Sequence, residues 1–388
     1  MTRGAPPGYA GRTMKAFLRW AAAAMLAATL SVAASARARA DDIAVGASPV
    51  VSVQLQYGYL RIVTWNRPDI EVETAGHIGW QHFDAASVRG HIPHDITLWA
   101  QHVSNSHGSF DLPAEQFVLP TLPPGNHEAV VIRGGGATVI HLPASTQMLA
   151  VRIAGGGVVR IEGYHGAAFA ALVHQGAIAL ENVRSSGVAQ VGRGPIFAEN
   201  SSFGRLRARN AVGNIFFSNV TATQIDVGTV GGSIVAENMH FRTGLARFQS
   251  QRGNVVLGVS GGAQIDAQGR GANAVATSFR EAHTLSRSGS GARAILGGGG
   301  PIVTALSPRG RVVLFDGSIA SHPRLSRRIP AIARAFHQVR ARMAKLPKRR
   351  PQGGHVRAFR RFPPPRRPPP RRPIRVRVRR RGPPARSR

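Results

Sequence analysis

The chain has no cysteine, which excludes a disulfide scaffold, a thiolate metal site and a cysteine nucleophile. Acidic residues are few, 18 against 50 Lys and Arg, and the net charge is +32. None of the acids falls in residues 1–40, which hold six basic residues, or in 317–388, which hold 24. The stretch 41–316 therefore carries 20 basic and all 18 acidic residues, a net of +2. That distribution argues against a globular nucleic-acid-binding domain with a basic face. Aromatic residues make up only 6% of the chain, with four Trp and four Tyr, so there is little material for a stacking surface. One apolar run is conspicuous, Trp20 to Ala34, and at about 15 residues it is short for a ~20-residue span.

That run follows a basic, acid-free start and precedes Ala38-Arg39-Ala40, a small-x-small pattern. Together these predict an export signal over residues 1–40, cleaved after Ala40, with an uncleaved N-terminal anchor as the other reading. Met14-Lys15 would make a more compact basic region, and no paired arginines support a twin-arginine signal. The expected location is the periplasm, the outer membrane or the cell surface.

The text then turns to β chemistry. Val50–Leu55, Leu60–Trp65 and Ile70–Thr74 alternate around the turn cluster Asn66-Arg67-Pro68-Asp69 and predict an antiparallel hairpin or meander. Further strands are expected at 95–103, 115–119, 129–133, 137–142 and 148–153. Beyond them a repeat sets in. Gly-x-Ile or Gly-x-Val recurs at Gly157, Gly176, Gly194, Gly213, Gly232 and Gly253, 18 to 21 residues apart. Asn182, Asn200, Asn219 and Asn238 each stand six residues after a repeat glycine. A second short strand follows each, as at Leu206–Arg209 and Gln224–Val227, and weaker copies begin at Gly136 and Gly310. One such unit cannot bury its inward side chains alone, but stacked units pair strand on strand and share a core. Glycine supplies corners that need positive φ, and asparagine tolerates left-handed backbone. The spacing is too short for propeller blades. The predicted fold is all-β: a β-solenoid-like stack of ~19-residue repeats behind a small antiparallel region. A β-sandwich is the alternative.

Val53–Thr74 and the Gly-x-Ile…Asn repeats resemble the bacterial "putative adhesin" group that includes the auto-transporter adhesin head of GIN type. The likeness covers about 150–310, with weaker support from 43–75. It implies an exported, β-solenoid-like protein and brings no catalytic residues with it. A His-rich insert at 76–128 and a basic tail are departures from a simple member of that group.

Candidate chemistry is sparse. His77, His82, His91, His94, His102 and His107 crowd one region, and His91-Ile92-Pro93-His94-Asp95 offers three ligand types within five residues. Pro93 removes the helical i, i+4 geometry of many zinc sites, so scattered surface or strand histidines are the preferred reading and no metal site is assigned. Glu181, Glu199 and Glu237 occupy one repeat position, with Ser218 in the gap, and should form a ladder along a solvated edge. Trp65, Trp80 and Trp99 are candidates for a sugar platform or for packing. No nucleophile elbow or nucleotide motif is present, and no cofactor and no enzymatic activity are expected.

The C-terminal part divides in two. In 319–347, Ile332, Phe336, Val339, Met343 and Leu346 recur at helical spacing between Pro330 and Pro347, among Arg334, Arg340, Arg342 and Lys345. This predicts a basic amphipathic helix that caps an open end of the solenoid or lies on a membrane. The remainder, 348–388, is Pro/Arg-rich and should be disordered or polyproline-like. Its arginines are Arg349, Arg350, Arg360, Arg361, Arg366, Arg367, Arg371, Arg372, Arg379, Arg380 and Arg381, with Arg375 and Arg377 between them. Guanidinium groups pair bidentately with phosphate and carboxylate, so these residues are the predicted polyanion or membrane contacts. The expected partner is an anionic envelope component: lipid head groups, lipopolysaccharide or an acidic polymer. The domain reading is thus 1–40 signal, 41–135 N-terminal β region, 136–318 repeat domain, 319–347 helix and 348–388 tail. The expected function is a structural or adhesin-like envelope protein. The alternatives are a glycan-binding or polysaccharide-modifying β-helix, and a polyanion or nucleic-acid binder acting through the tail.

Overall fold

The inward residues of this chain line up in columns. Leu60, Val159, Ile178, Ile196, Ile215, Ile234, Val255 and Val312 occupy equivalent positions on successive parallel strands. The computed structural model describes residues 39–83, 127–271, 274–279 and 282–322. The expected signal segment up to residue 38, the strands expected at 95–103 and 115–119, residues 323–347 of the expected helix and all the tail arginines lie outside these residues. So do His91, His94, Asp95, His102 and His107.

Nineteen strands form one sheet. They are β1 (Arg39–Ala44), β2 (Val50–Trp65), β3 (Asp69–Thr74), β4 (His77–Phe83), β5 (Ala129–Pro143), β6 (Met148–Glu162) and β7 (Ala168–Glu181). Then come β8 (Arg184–Arg193), β9 (Ile196–Val212), β10 (Ile215–Thr229), β11 (Ile234–Phe241), β12 (Leu245–Ser250) and β13 (Val255–Val259). The last are β14 (Ala263–Gln268), β15 (Val275–Ser278), β16 (Ala282–Ser288), β17 (Gly291–Leu296), β18 (Ile302–Leu306) and β19 (Val312–Asp316). Long strands such as β9 and β10 contain both predicted strands of a repeat and bend between them, so a coil is stacked parallel on the next with a shift of one repeat. The β-solenoid-like fold is therefore observed. Buried aliphatic side chains and Phe169, Phe203, Phe217 and Phe248 fill the shared interior.

Two corners explain the repeat. At the first, Gly176, Gly194 and Gly213 have φ of 136°, 135° and 149°. A Cβ on Gly194 would lie 1.6 Å from the carbonyl oxygen of Gly176, so the coils touch glycine on glycine. Inside the same corner a polar side chain reaches the glycine carbonyl. Thr229 Oγ1 donates to Gly213 O at 3.0 Å, Ser250 Oγ to Gly232 O at 2.6 Å and Ser307 Oγ to Gly253 O at 2.6 Å. Asn210 Nδ2 does the same for Gly194 O. Each of these glycine carbonyls thereby gains a side-chain donor inside the corner.

At the second corner Asn182, Asn200, Asn219 and Asn238 all adopt left-handed backbone, with φ between 50° and 54°. Their amides form a ladder: Asn219 Nδ2 donates to Asn200 Oδ1 at 3.0 Å, and Asn238 Nδ2 to Asn219 Oδ1 at 2.9 Å. Asn219→Ala loses both bonds and puts an alanine into left-handed backbone, and should destabilise by about 2 kcal/mol. Asn219→Gly keeps the backbone freedom and should cost about half as much. Urea unfolding midpoints check the order; equal midpoints for alanine and wild type would contradict it.

Chain order and stacking order differ at both ends. β2 lies between β5 and β6, parallel to both, because its Val51, Val53, Leu60 and Ile62 fall into the interior columns. The turn at Asn66–Asp69 consequently does not fold β3 back on β2 as the hairpin expectation has it. β3 pairs antiparallel with β5 and with β1. Likewise β18 lies between β12 and β14, and β19 between β13 and β15. Antiparallel strands cover both ends: β3 and β4 lie on β5, and β17 with β16 lies on β14. Such layers cover the edges of β5 and β14, which would otherwise be free to pair with another chain, whereas β15 pairs with β19 alone among the described residues. The bond expected to be cleaved, Ala40–Asp41, is within β1, and a chain starting at Asp41 retains the pairing of Asp41–Ala44 with β3.

Candidate functional site

Because side chains alternate along a strand, each coil carries outward columns as well as inward ones. The columns on the β9–β10–β11 surface are of two kinds. The residues directly after the inward isoleucines are Ala179, Phe197, Phe216, Val235 and Val256, an apolar stripe separate from the main core. Phe197 and Phe216 stack with centroids 5.1 Å apart and planes within 5°.

Two residues further on stands the acidic column. Glu162, Glu181, Glu199, Ser218 and Glu237 are in register, so the predicted ladder exists, with Glu162 as a further rung. Ser218 fills its gap by donating to Glu237 Oε1 at 3.1 Å. At the other end Arg61 grips Glu162 with two bonds, Nε to Oε1 at 3.0 Å and Nη2 to Oε2 at 2.8 Å, and this raises the Arg61 pKa. Buried Arg160 reaches Glu181 Oε2 at 2.7 Å. Glu162 and Glu181 are thus paired with arginines, and Glu237 accepts hydrogen bonds from Ser218 and the Ile319 amide.

A second charge column lies on the following strand surface, where Arg207, Asp226 and Arg247 are consecutive rungs. Arg209 bends over Gly228 to reach Asp226, and its guanidinium occupies the volume where a Cβ on Gly228 would be. Burial lowers the Arg209 pKa, and the Asp226 charge works against that shift. The repeat offset of 19 residues from Arg207 to Asp226 was the signal for this column in the sequence. Asp226 is one acid among three arginines, so Asp226→Asn should destabilise by about 3 kcal/mol. Combining it with Arg209→Met should restore part of the loss, since the uncompensated buried charge goes too. Equilibrium denaturation decides; a neutral Asp226→Asn would contradict the column's importance.

At the N-terminal end, Glu71, Glu73 and His141 bring one ligand atom each within 4.8 Å of one another. Among the described residues this is the group with the donor set for a cation such as zinc, two carboxylates and an imidazole. The register explains it, since Glu71 is opposite His141 on β5. The His141 ring stacks on Trp65 at 4.8 Å, and Arg67 lies over the same indole at 4.3 Å. Sequence reading missed the group because two distant segments supply it. Of the histidines that were singled out, His77 and His82 lie on β4, and His82 pairs with Glu128 at 3.0 Å. Trp65 and Trp80 stand opposite Pro143 and Ile132, at the two ends of β5, and do not make one platform.

No family model matches the chain, and no curated protein matches it. Among solved structures, the crystal structure of a putative cell adhesion protein from Clostridium sporogenes matches over 72% of this chain and 99% of that one, at 7% identity and a TM-score of 0.24. This is a distant neighbour, and the adhesin resemblance rests on the repeat motifs quoted above.

Proposed function

We propose that the protein is an exported, non-enzymatic envelope protein with a structural or adhesin-like role, held to an anionic surface by its C-terminal arm. The partition of charge carries this reading. In the body, Arg61, Arg160 and Arg209 are matched to Glu162, Glu181 and Asp226 within the coils. Beyond Asp316 there are 24 basic residues and no acid to match them. An arm of that composition has no internal partner for its guanidinium groups, and phosphate or carboxylate groups at a bacterial surface satisfy their chemistry. The coils supply a regular stack whose exposed turns can present contacts to a partner. Fractionation of cells making the full chain or a chain lacking 348–388 tests the reading. The full chain should follow the envelope, and the shortened one the soluble pool. Retention of the shortened chain on the envelope in low salt would overturn it.

A further inference from the structure

We propose that Glu71, Glu73 and His141 bind a divalent transition-metal cation of the zinc class, and that this cation staples the N-terminal antiparallel layer to β5. Local structure brings the three side chains together. On β3, Ile70 and Val72 belong to the interior core, so Glu71 and Glu73 stand on the opposite, outward face. β1 pairs with one side of β3 and β5 with the other, which fixes the backbone beneath both carboxylates. His141 is directly opposite Glu71, and the three ligand atoms lie within 4.8 Å of one another. The imidazole is held as well: its ring stacks on Trp65, whose indole Nε1 donates to Asp69 O at 2.8 Å. A ligand ring oriented by its surroundings before the ion arrives is what a preorganised metal site requires.

Charge points the same way. Glu73 is 6% exposed, and Glu71 Oε2 is buried without a hydrogen-bond partner among the described residues. Two carboxylates this close repel each other, and a divalent ion between them turns the repulsion into attraction. The arginines nearby are committed elsewhere. Arg61 stands in the row of Glu73, across Val139, but turns to β6 and holds Glu162 through two bonds. Arg67 forks onto Asp69 and lies over Trp65. The row of Glu71 and His141 continues through Val63 to Glu162, so the glutamate ladder and this group share one line, with Arg61 as the counter-charge only at the ladder. The donor set selects among ions. Imidazole with carboxylates suits zinc and its neighbours, whereas calcium and magnesium take oxygen ligands. A tetrahedral ion with bonds of about 2.0–2.2 Å draws its ligand atoms to about 3.4 Å apart, a closure that glutamate rotamers span from the present spacing. Three protein ligands leave a fourth position, and Asp42, opposite Glu71 on β1, is the next carboxylate along the row to take it.

Zinc alone is the probe, added to the purified full chain after treatment with a chelator. Calorimetry should find a site that Glu71→Gln weakens at least about tenfold. His141→Phe should weaken it as much, since it keeps a ring against Trp65 and lacks the nitrogen. In roughly 100-fold excess over its Kd, zinc should raise the melting temperature by about 5 °C. It should also slow amide hydrogen exchange in β1 and β3, the strands the ion would staple. The wild-type chain is a sufficient test even where a variant misfolds. Zinc binding weaker than a Kd of about 100 μM overturns the proposal. Zinc that binds but leaves exchange in β1 and β3 unchanged overturns it by placing the ion on other histidines. Unaltered affinity in both variants does the same, and calcium binding as tightly as zinc overturns the role of His141. None of these results depends on where the C-terminal arm attaches.

Discussion

Gly194→Ala is expected to unfold the solenoid or to lower its stability by about 4 kcal/mol or more, the largest effect of any single substitution in the coils. Two penalties coincide there. The backbone has φ of 135°, which a residue with a Cβ rarely adopts. The added carbon would also stand 1.6 Å from Gly176 O, and that contact is with backbone, which no rotamer change relieves. Moving the coils apart to admit it breaks the strand pairing on both sides of the corner and the Asn210 bond to Gly194 O. Gly156→Ala is the matched control: it is exposed, its Cβ meets nothing within 4 Å, and it should change stability by less than about 0.5 kcal/mol. Thermal unfolding of both variants separates steric necessity from ordinary glycine content. A folded Gly194→Ala with wild-type melting would show that the coils are not in glycine contact.

This corner is also where the sequence was most informative. A glycine column leaves no choice of residue type, so Gly157, Gly176, Gly194 and Gly213 stand out at regular spacing, and the left-handed corner marks Asn200 and Asn219 in the same way. The glutamate ladder was legible because Glu181, Glu199 and Glu237 keep one offset from those markers. Interleaving at the ends was not. Val50–Trp65 alternates as a hairpin strand would, and nothing local says that its partners are β5 and β6 rather than β3. Long-range pairing is chosen by fit to a column, not by the turn that follows. The Glu71–Glu73–His141 group escaped for the same reason, since it exists only once β3 crosses β5. The outward stripe was hidden because nothing local tells an outward Phe197 or Phe216 from an inward one, and only the register shows that they face away from the interior.

Removing residues 348–388 should have the largest effect on binding. That arm holds 17 basic residues and no acid, whereas the coils of 41–316 carry a net charge of only +2. A basic residue near an anionic membrane contributes about 1 kcal/mol, so engagement of even five would strengthen binding by about a thousandfold or more. Attraction of this kind is screened within about 3 Å at molar salt, so salt should reproduce the deletion. The fold should be indifferent to both, because the hydrophobic core that holds the coils together is built from residues between Ile43 and Leu314.

The most direct test is sedimentation of the purified full chain and of the chain lacking 348–388 with anionic phosphatidylglycerol vesicles. The full chain should pellet in low salt and be released by added salt, with the shortened chain remaining in the supernatant throughout. Equal pelleting of the two chains would place the attachment in the body and contradict the account.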